Sequence, residues 1–262
     1  MSETLVRYKN IGPAASITLN RPAKRNALSR ELIAQLDAAF AKAADDATAR
    51  VVVLTAVGQG FCAGMDLTEL QASLDVPLET SPAWDDALRL ARLYDRIYAL
   101  PKPTLAVVQG AAIAGGAGLV TVCDLAIAAD EAKFGYPEVR RGLVAAMVMP
   151  HLMRHVGERM ARWLLLTGEM IDAKAALAAG LVNEVLPADK VAGRALEIVM
   201  SLAEGGPEAL AKTKELLGKF SGQALSIEAA AKASAEPRLT AECQSGLRAF
   251  FDKQPTPWSP KT

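Results

Sequence analysis

Cysteine, histidine and aromatic residues are all scarce in this chain of 262 residues. Its three cysteines, Cys62, Cys123 and Cys243, have neither the pairing of a disulfide framework nor the spacing of metal ligands. Such usage points to a reducing compartment. The two histidines, His151 and His155, lie four apart with Leu152 where a zinc-protease helix carries glutamate. Packing or surface roles, and no metal, are therefore expected of them. Charge of one sign is not in excess: Lys plus Arg and Asp plus Glu are 29 each, for a net charge of zero. Nucleic-acid backbones select basic surfaces, so no nucleic-acid partner is expected. The longest apolar stretch, Leu105 to Ile127, is broken by Gln109, several glycines and Asp124. It falls short of the roughly 18 uninterrupted apolar residues that span a membrane. The opening Met1-Ser2-Glu3-Thr4-Leu5 lacks the form of a signal or transit peptide. A cytoplasmic protein without a membrane partner is expected. There is no P-loop and no G-x-S-x-G elbow, and Gly58, Gly60 and Gly64 miss dinucleotide-binding spacing by one residue.

What is present is a globular composition, 51% hydrophobic and 22% charged, long enough to bury a core without staples. Leu5 to Lys9 and Ala15 to Asn20 read as strands around a Gly12-Pro13 turn. Ser29 suits the cap of a helix carrying Leu32, Ile33, Leu36, Ala39 and Phe40 at helical spacing. Arg50 to Ala56 and Thr104 to Gln109 are apolar runs typical of strands buried on both faces, and Asp124 to Ala129 is strand-like again. Residues 71 to 86 are aperiodic and read as a loop, followed by a helix from about Asp85 to Ala99. Strand, turn, helix, strand order occurs twice and indicates an α/β fold with crossovers. From Pro150 onward the pattern is mostly helical, with helices expected near 208–220, 226–235 and 240–253. Gly205-Gly206-Pro207 divides the chain into a core, 1–205, and a helical C-terminal region, 206–262.

Two glycine-rich turns each follow a buried strand and open a helix. One ends in Ala63-Gly64-Met65-Asp66-Leu67, and the other is Ile113-Ala114-Gly115-Gly116-Ala117-Gly118. Backbone N–H groups at a helix N-terminus stabilise negative charge, and two that converge on one oxygen form an oxyanion hole. Tight packing turns are the alternative that spacing leaves open. Glu138 has Phe134, Tyr136, Val139 and Leu143 nearby in sequence, neighbours that raise a carboxyl pKa towards proton transfer. A solvated glutamate paired with Arg140 or Arg141 is the competing reading of the same residues.

The ordered set is more specific than its parts. Lys24-Arg25-Asn26-Ala27-Leu28 is followed by Gly60-Phe61-Cys62-Ala63-Gly64-Met65-Asp66-Leu67, Lys102-Pro103-Thr104, Gln109-Gly110, Ala114-Gly115-Gly116 and Cys123-Asp124-Leu125. Phe134-Gly135-Tyr136-Pro137-Glu138-Val139, Leu166-Thr167-Gly168-Glu169 and Ala179-Gly180-Leu181-Val182 complete it. Over nearly its whole length the chain resembles the crotonase, or enoyl-CoA hydratase/isomerase, superfamily. The resemblance implies an α/β spiral of repeated ββα units with a helical C-terminal region, and a homotrimer or homohexamer. It also implies acyl-CoA thioester substrates, with no cofactor beyond the coenzyme A carried by the substrate. The backbone N–H groups of Met65 and Gly115 would hold the thioester oxygen, and Glu138 would be the acid/base. Coenzyme A would run past Arg25, Ala27 and the Ala63, Met65, Asp66, Leu67, Thr68 segment, with Lys253 and Phe250 near the adenine. Asp66 itself is expected to cap its turn.

The departures matter as much. Typical hydratases of this superfamily carry a second glutamate where this chain has Gly118, and the usual Pro-Gly-Ala-Gly-Gly-Thr turn is replaced by the more apolar Leu143 to Pro150. One glutamate suits a 1,3-proton shift, converting 3-enoyl-CoA to 2-enoyl-CoA. Hydration stays open if Glu138 serves twice or if Glu69 or Asp66 reaches in. A non-catalytic acyl-CoA-binding protein on the same fold is the alternative of another class.

Overall fold

A computed structural model describes residues 4–72 and 82–221, and within the C-terminal stretch residues 241, 242, 245, 246, 249 and 252–258. Cys243, Phe250 and the helix expected near 226–235 lie outside the described residues. Strands β1 (Val6–Ile11) and β2 (Ala14–Leu19) form the hairpin expected around Gly12. Helix α1 (Arg30–Asp45) starts where Ser29 Oγ accepts the Leu32 N–H at 3.2 Å. β3 (Val51–Ala56) and β4 (Thr104–Val108) are the two apolar runs. Between them lie α2 (Leu67–Ala72) and α3 (Ala83–Ala99). The stretch 71–86 read as a loop is therefore helical at both ends, and 73–81 lies outside the described residues.

The glycine-rich segment after β4 holds a strand that its composition hides, β5 (Ala112–Ile113), and then α4 (Gly115–Thr121). β6 (Leu125–Ala129), β7 (Lys133–Gly135) and α5 (Met149–Thr167) repeat the plan. β8 (Met170–Asp172), α6 (Ala173–Ala178), β9 (Glu184–Leu186), α7 (Ala188–Ala203) and α8 (Pro207–Phe220) follow. The region after Pro150 is thus not wholly helical, because β8 and β9 interrupt it.

Six strands form one sheet in the order β1-β2-β3-β4-β6-β9, parallel except for β1 against β2. Three short strands form a second sheet in the order β5-β7-β8. The unit β4-β5-α4 recurs as β6-β7-α5: each first strand enters the large sheet and each second strand the small one. Strand alternation sorts the large sheet's side chains onto two faces. Val52, Leu54, Ala106, Val108 and Ala128 point into the larger core with α1 and α3, while Val51, Leu105, Val107, Ile127 and Ala129 pack with Val191, Ala195 and Val199 of α7. Each fully buried large aliphatic side chain contributes roughly 1.5–3 kcal/mol of transfer free energy. That layering fixes the carboxyl ends of β3 and β4, from which the two glycine-rich turns leave. α8 crosses α3 and is tied to the sheet by Lys214, whose ammonium sits 2.7 Å from Asp124. Among the described residues no helix is long and apolar enough to cross a membrane.

Candidate active site

The first turn lies in register with the Arg25–Leu28 segment. Ala63 donates to the Arg25 carbonyl at 3.0 Å, Leu28 to that of Gly64 at 2.8 Å, and Asp66 to that of Leu28 at 3.1 Å. Met65 is the bridging partner of Leu28 in this parallel pairing. In such a bridge the flanking residues make the bonds. The Met65 N–H therefore points to the opposite side.

The second turn lies on that side. Cys62 bridges Ala112, and Ile113 donates to the Cys62 carbonyl at 2.9 Å. Two glycines allow the approach. A Cβ on Gly64, whose φ is +84°, would stand 2.8 Å from the Ala114 Cβ and 3.2 Å from the Gly115 nitrogen. A Cβ on Gly116 would stand 2.2 Å from the Cys62 carbonyl oxygen. Ala114 adopts φ 54°, ψ −125°, a conformation that strains an L-residue, and α4 starts immediately after it. Gly115 is thus the first helical residue, and the N–H groups of a first turn have no intrahelical partner. The fold brings the Met65 and Gly115 backbones side by side.

Glu138 reaches the same turn through β7. Ile113 pairs with Gly135, and the Ala114 N–H donates to the Gly135 carbonyl at 2.8 Å. Glu138 follows in a 3-10 turn, Pro137–Arg141. It is half-buried, and its Oε2 has no hydrogen-bond partner among the described residues. Burial raises its pKa above the ordinary value of 4.5, while its own backbone N–H and the charge of Arg141 pull it back. Neither nearby arginine forms an ion pair with it among the described residues: Arg140 turns to the Thr167 carbonyl, 3.3 Å away. The reading of Glu138 as a solvated, arginine-paired carboxylate does not match this geometry.

Two tyrosines complete the wall. Tyr136 is fully buried, and its hydroxyl has no hydrogen-bond partner among the described residues. Tyr94 of α3 donates its hydroxyl to the Gly115 carbonyl at 2.7 Å. Burial, followed by the charges of neighbouring groups including Glu138, holds the Tyr94 phenol well above its ordinary pKa. Burial also pushes the Cys62 thiol up to about 12.

The remaining expected residues divide by place. Asp66 is buried and caps its turn, accepting the Thr68 N–H at 2.9 Å and pairing with Arg21 at 2.5 Å. Burial works to raise its pKa, but the bonds from Arg21 and Thr68 and the Arg21 charge outweigh it and hold the carboxyl low. Arg25, Leu67 and Thr68 are exposed on the same segments, and Ala27 and Ala63 are half-buried between them. The Glu69 carboxylate accepts the Arg30 N–H at 3.0 Å. Lys253 is exposed, and no contact among the described residues joins it to either turn. His155 bonds the Thr121 carbonyl at 2.9 Å, and His151 packs edge-on against Tyr98.

Sequence reasoning missed three contributors. Tyr94 reads as one more apolar position of α3, Ala114 carries no sign of positive φ, and Asn26 reads only as part of a motif. Yet Asn26 is fully buried and ties its Nδ2 to the carbonyls of Val57, Gly60 and Phe61, at 3.0, 3.1 and 3.0 Å.

Comparison with known proteins agrees with this layout. The enoyl-CoA hydratase/isomerase family profile matches residues 11–261. A provisionally named enoyl-CoA hydratase of Thermus thermophilus is 42% identical, over 93% of this chain and 96% of that one. The 2,3-dehydroadipyl-CoA hydratase of Escherichia coli is 35% identical, over 91% and 92%. A crystal structure of an enoyl-CoA hydratase from Shewanella pealeana superposes with a TM-score of 0.91 at 31% identity, covering 97% of this chain and 96% of that one. The fold is the crotonase fold. The chain belongs to the enoyl-CoA hydratase/isomerase family, whose members are acyl-CoA enzymes.

Proposed function

We propose that this enzyme moves a double bond within an acyl chain, converting a 3-enoyl-CoA to its 2-enoyl isomer, with Glu138 as the only carboxylate at the reacting carbons. One observation carries the reading: the place of a second acid, at Gly118, is filled by Tyr94 and Val148. Glu138 removes a proton from C2. The electron pair moves onto the thioester oxygen, where the N–H groups of Met65 and Gly115 stabilise it. Collapse of that enolate then draws the same proton back at C4, so nothing enters or leaves overall. A donor of this kind is worth on the order of 3 kcal/mol of transition-state stabilisation. Glu138 suits the task because burial raises its pKa above the ordinary value, which narrows the gap to a carbon acid.

Water addition is the second reading, and the names of the relatives favour it. Product mass separates the two. Incubated with a matched 2-enoyl and 3-enoyl-CoA pair, the enzyme is expected to interconvert them at constant mass. A gain of one water from the 2-enoyl compound, without isomerisation, overturns the isomerase reading.

Because the hole is built from backbone, the Met65 side chain is dispensable to it and serves the acyl pocket instead. Met65→Ala is expected to change kcat by less than about tenfold while shifting the preferred chain length, as rates across a series of acyl lengths would reveal. A loss of two or more orders of magnitude for every length would contradict this division.

Self-association into a trimer or hexamer is part of the same proposal. Val144, Trp163 and Leu166 are exposed at 70%, 54% and 69%, and a groove of about 560 Å³ runs along α5 between Glu158 and Thr167. Sedimentation is expected to give a mass of three or six chains.

A further inference from the structure

We infer that Tyr94 is the specificity residue that keeps this site to a single carboxylate, by standing where a side chain at position 118 would have to go. The inference rests on the isomerase reading and explains how the fold maintains it. A Cβ on Gly118 would lie 2.4 Å from the Tyr94 hydroxyl oxygen, 2.8 Å from its Cζ and 2.5 Å from a Val148 methyl group. Real Cβ atoms do not approach that closely, so an acid at this position requires the ring to leave. The ring has nowhere easy to go. Tyr94 and Val148 are buried, at 2% and 3% exposure, within the core shared with Leu90, Leu93 and Leu119. The hydroxyl is fastened to the Gly115 carbonyl at 2.7 Å. That bond spans from α3 to the first turn of α4, so displacing Tyr94 also loosens Gly115. A Cβ on Gly115 would itself meet the Tyr94 hydroxyl at 3.2 Å, which places the phenol against both glycines at once.

The phenol also gives no proton chemistry in return. It is neutral, its hydrogen is committed to a carbonyl, and burial keeps it from ionising. Tyr94 therefore removes a second acid–base group and supplies none. Its bond to the Gly115 carbonyl makes it a positioning residue for the hole as well.

A three-position experiment tests this. Gly118→Glu in the natural background is expected to lower Tm sharply, since a fixed ring and a buried Val148 methyl group must move. Adding Tyr94→Leu and Val148→Ala is expected to recover most of that loss, because the two changes vacate the space that the introduced carboxylate side chain needs. The recovered triple variant is then expected to add water to crotonyl-CoA at least about tenfold faster than the Tyr94→Leu/Val148→Ala double variant, which has lost the same bond to Gly115 but lacks the introduced carboxylate. Tyr94→Phe keeps the ring but drops the bond to Gly115, and is expected to lower kcat about tenfold with KM within about twofold. A Gly118→Glu variant as stable as the natural protein would overturn the inference. So would a folded triple variant that binds crotonyl-CoA but adds water no faster than that double variant. If the isomerase reading itself fails, the failure appears in the unmutated enzyme, which would leave 3-enoyl-CoA unchanged, while the Tm comparison still reports on Tyr94.

Discussion

Glu138→Gln is expected to lower kcat by about 10³-fold or more while raising Tm, and the pairing of those two effects is the informative result. The activity loss follows from removing the carboxylate proposed above as the acid/base. Gln keeps the size and a hydrogen-bonding oxygen, so KM is expected to stay within a few-fold. The stability gain follows from the direction of the pKa shift. Burial raises Glu138 above its unfolded value of 4.5, so between the two pKa values the folded chain binds more protons than the unfolded one. Stability therefore falls as pH rises through the folded pKa. The uncharged Gln avoids that loss. The Tm gap between variant and natural enzyme is expected above the folded pKa and should vanish below the unfolded one.

The same shift sets the pH–rate profile. kcat/KM is expected to rise along a single limb whose midpoint lies above 4.5, as the base ionises. Tyr94, Tyr136 and Cys62 stay protonated through this range, and His151, pushed down to about 4 by burial, is already neutral. Natural-level turnover by Glu138→Gln would remove Glu138 from the chemistry. A variant with no activity but lower Tm would show that the carboxylate is held by a bond instead of merely desolvated.

The parts legible in sequence were those whose cause is local. Apolar runs at 51–56 and 104–108 announce strands because both faces are buried, and the glycine-rich turns announce close backbone approach. Glu138 was legible through its motif, although its neighbours equally suited a solvated side chain. The strands β5, β7, β8 and β9 were hidden because two or three residues are too few to show a period of two. Tyr94 was legible as buried, since it shares a stripe with Leu90, Leu93 and Ile97, but its hydroxyl acts on residues 21 and more positions away. Periodicity reports which face is inside and says nothing of what that face meets. Ala114 is the clearest case, because its strain is imposed by the strand pairings on either side and not by its own side chain.

Asn26→Ala carries the largest expected loss of stability among these substitutions, about 3–5 kcal/mol, or a fall in Tm of about 10 °C. The side chain is fully buried, and its Oδ1 accepts the Arg21 N–H at 2.8 Å. Its Nδ2 has two hydrogens for the three carbonyls of Val57, Gly60 and Phe61, so at least one bond is shared. Truncation strands the Arg21 N–H and the carbonyls of Val57 and Phe61 inside the protein, while that of Gly60 keeps its 3.1 Å bond from the Gln109 side chain; each orphaned group costs about 1–3 kcal/mol, partly relieved where water can enter. Backbone adds to this, because Asn26 sits at φ 54°, where asparagine is tolerated better than alanine by about 1 kcal/mol. Asn26→Asp separates the two contributions. It keeps the acceptor and suits the same backbone, but aims a carboxylate at three carbonyl oxygens, so it is expected to be at least as damaging as alanine. Thermal melts of the two variants decide the matter: Asp near the natural Tm with Ala far below would assign the effect to backbone and the Arg21 bond, not to the Nδ2 fan. Because that fan anchors Val57 to Phe61 just ahead of Ala63 and Met65, both variants are also expected to lose kcat/KM well below their melting range. A shared loss there would show that the loop held by Asn26 sets the position of the Met65 N–H.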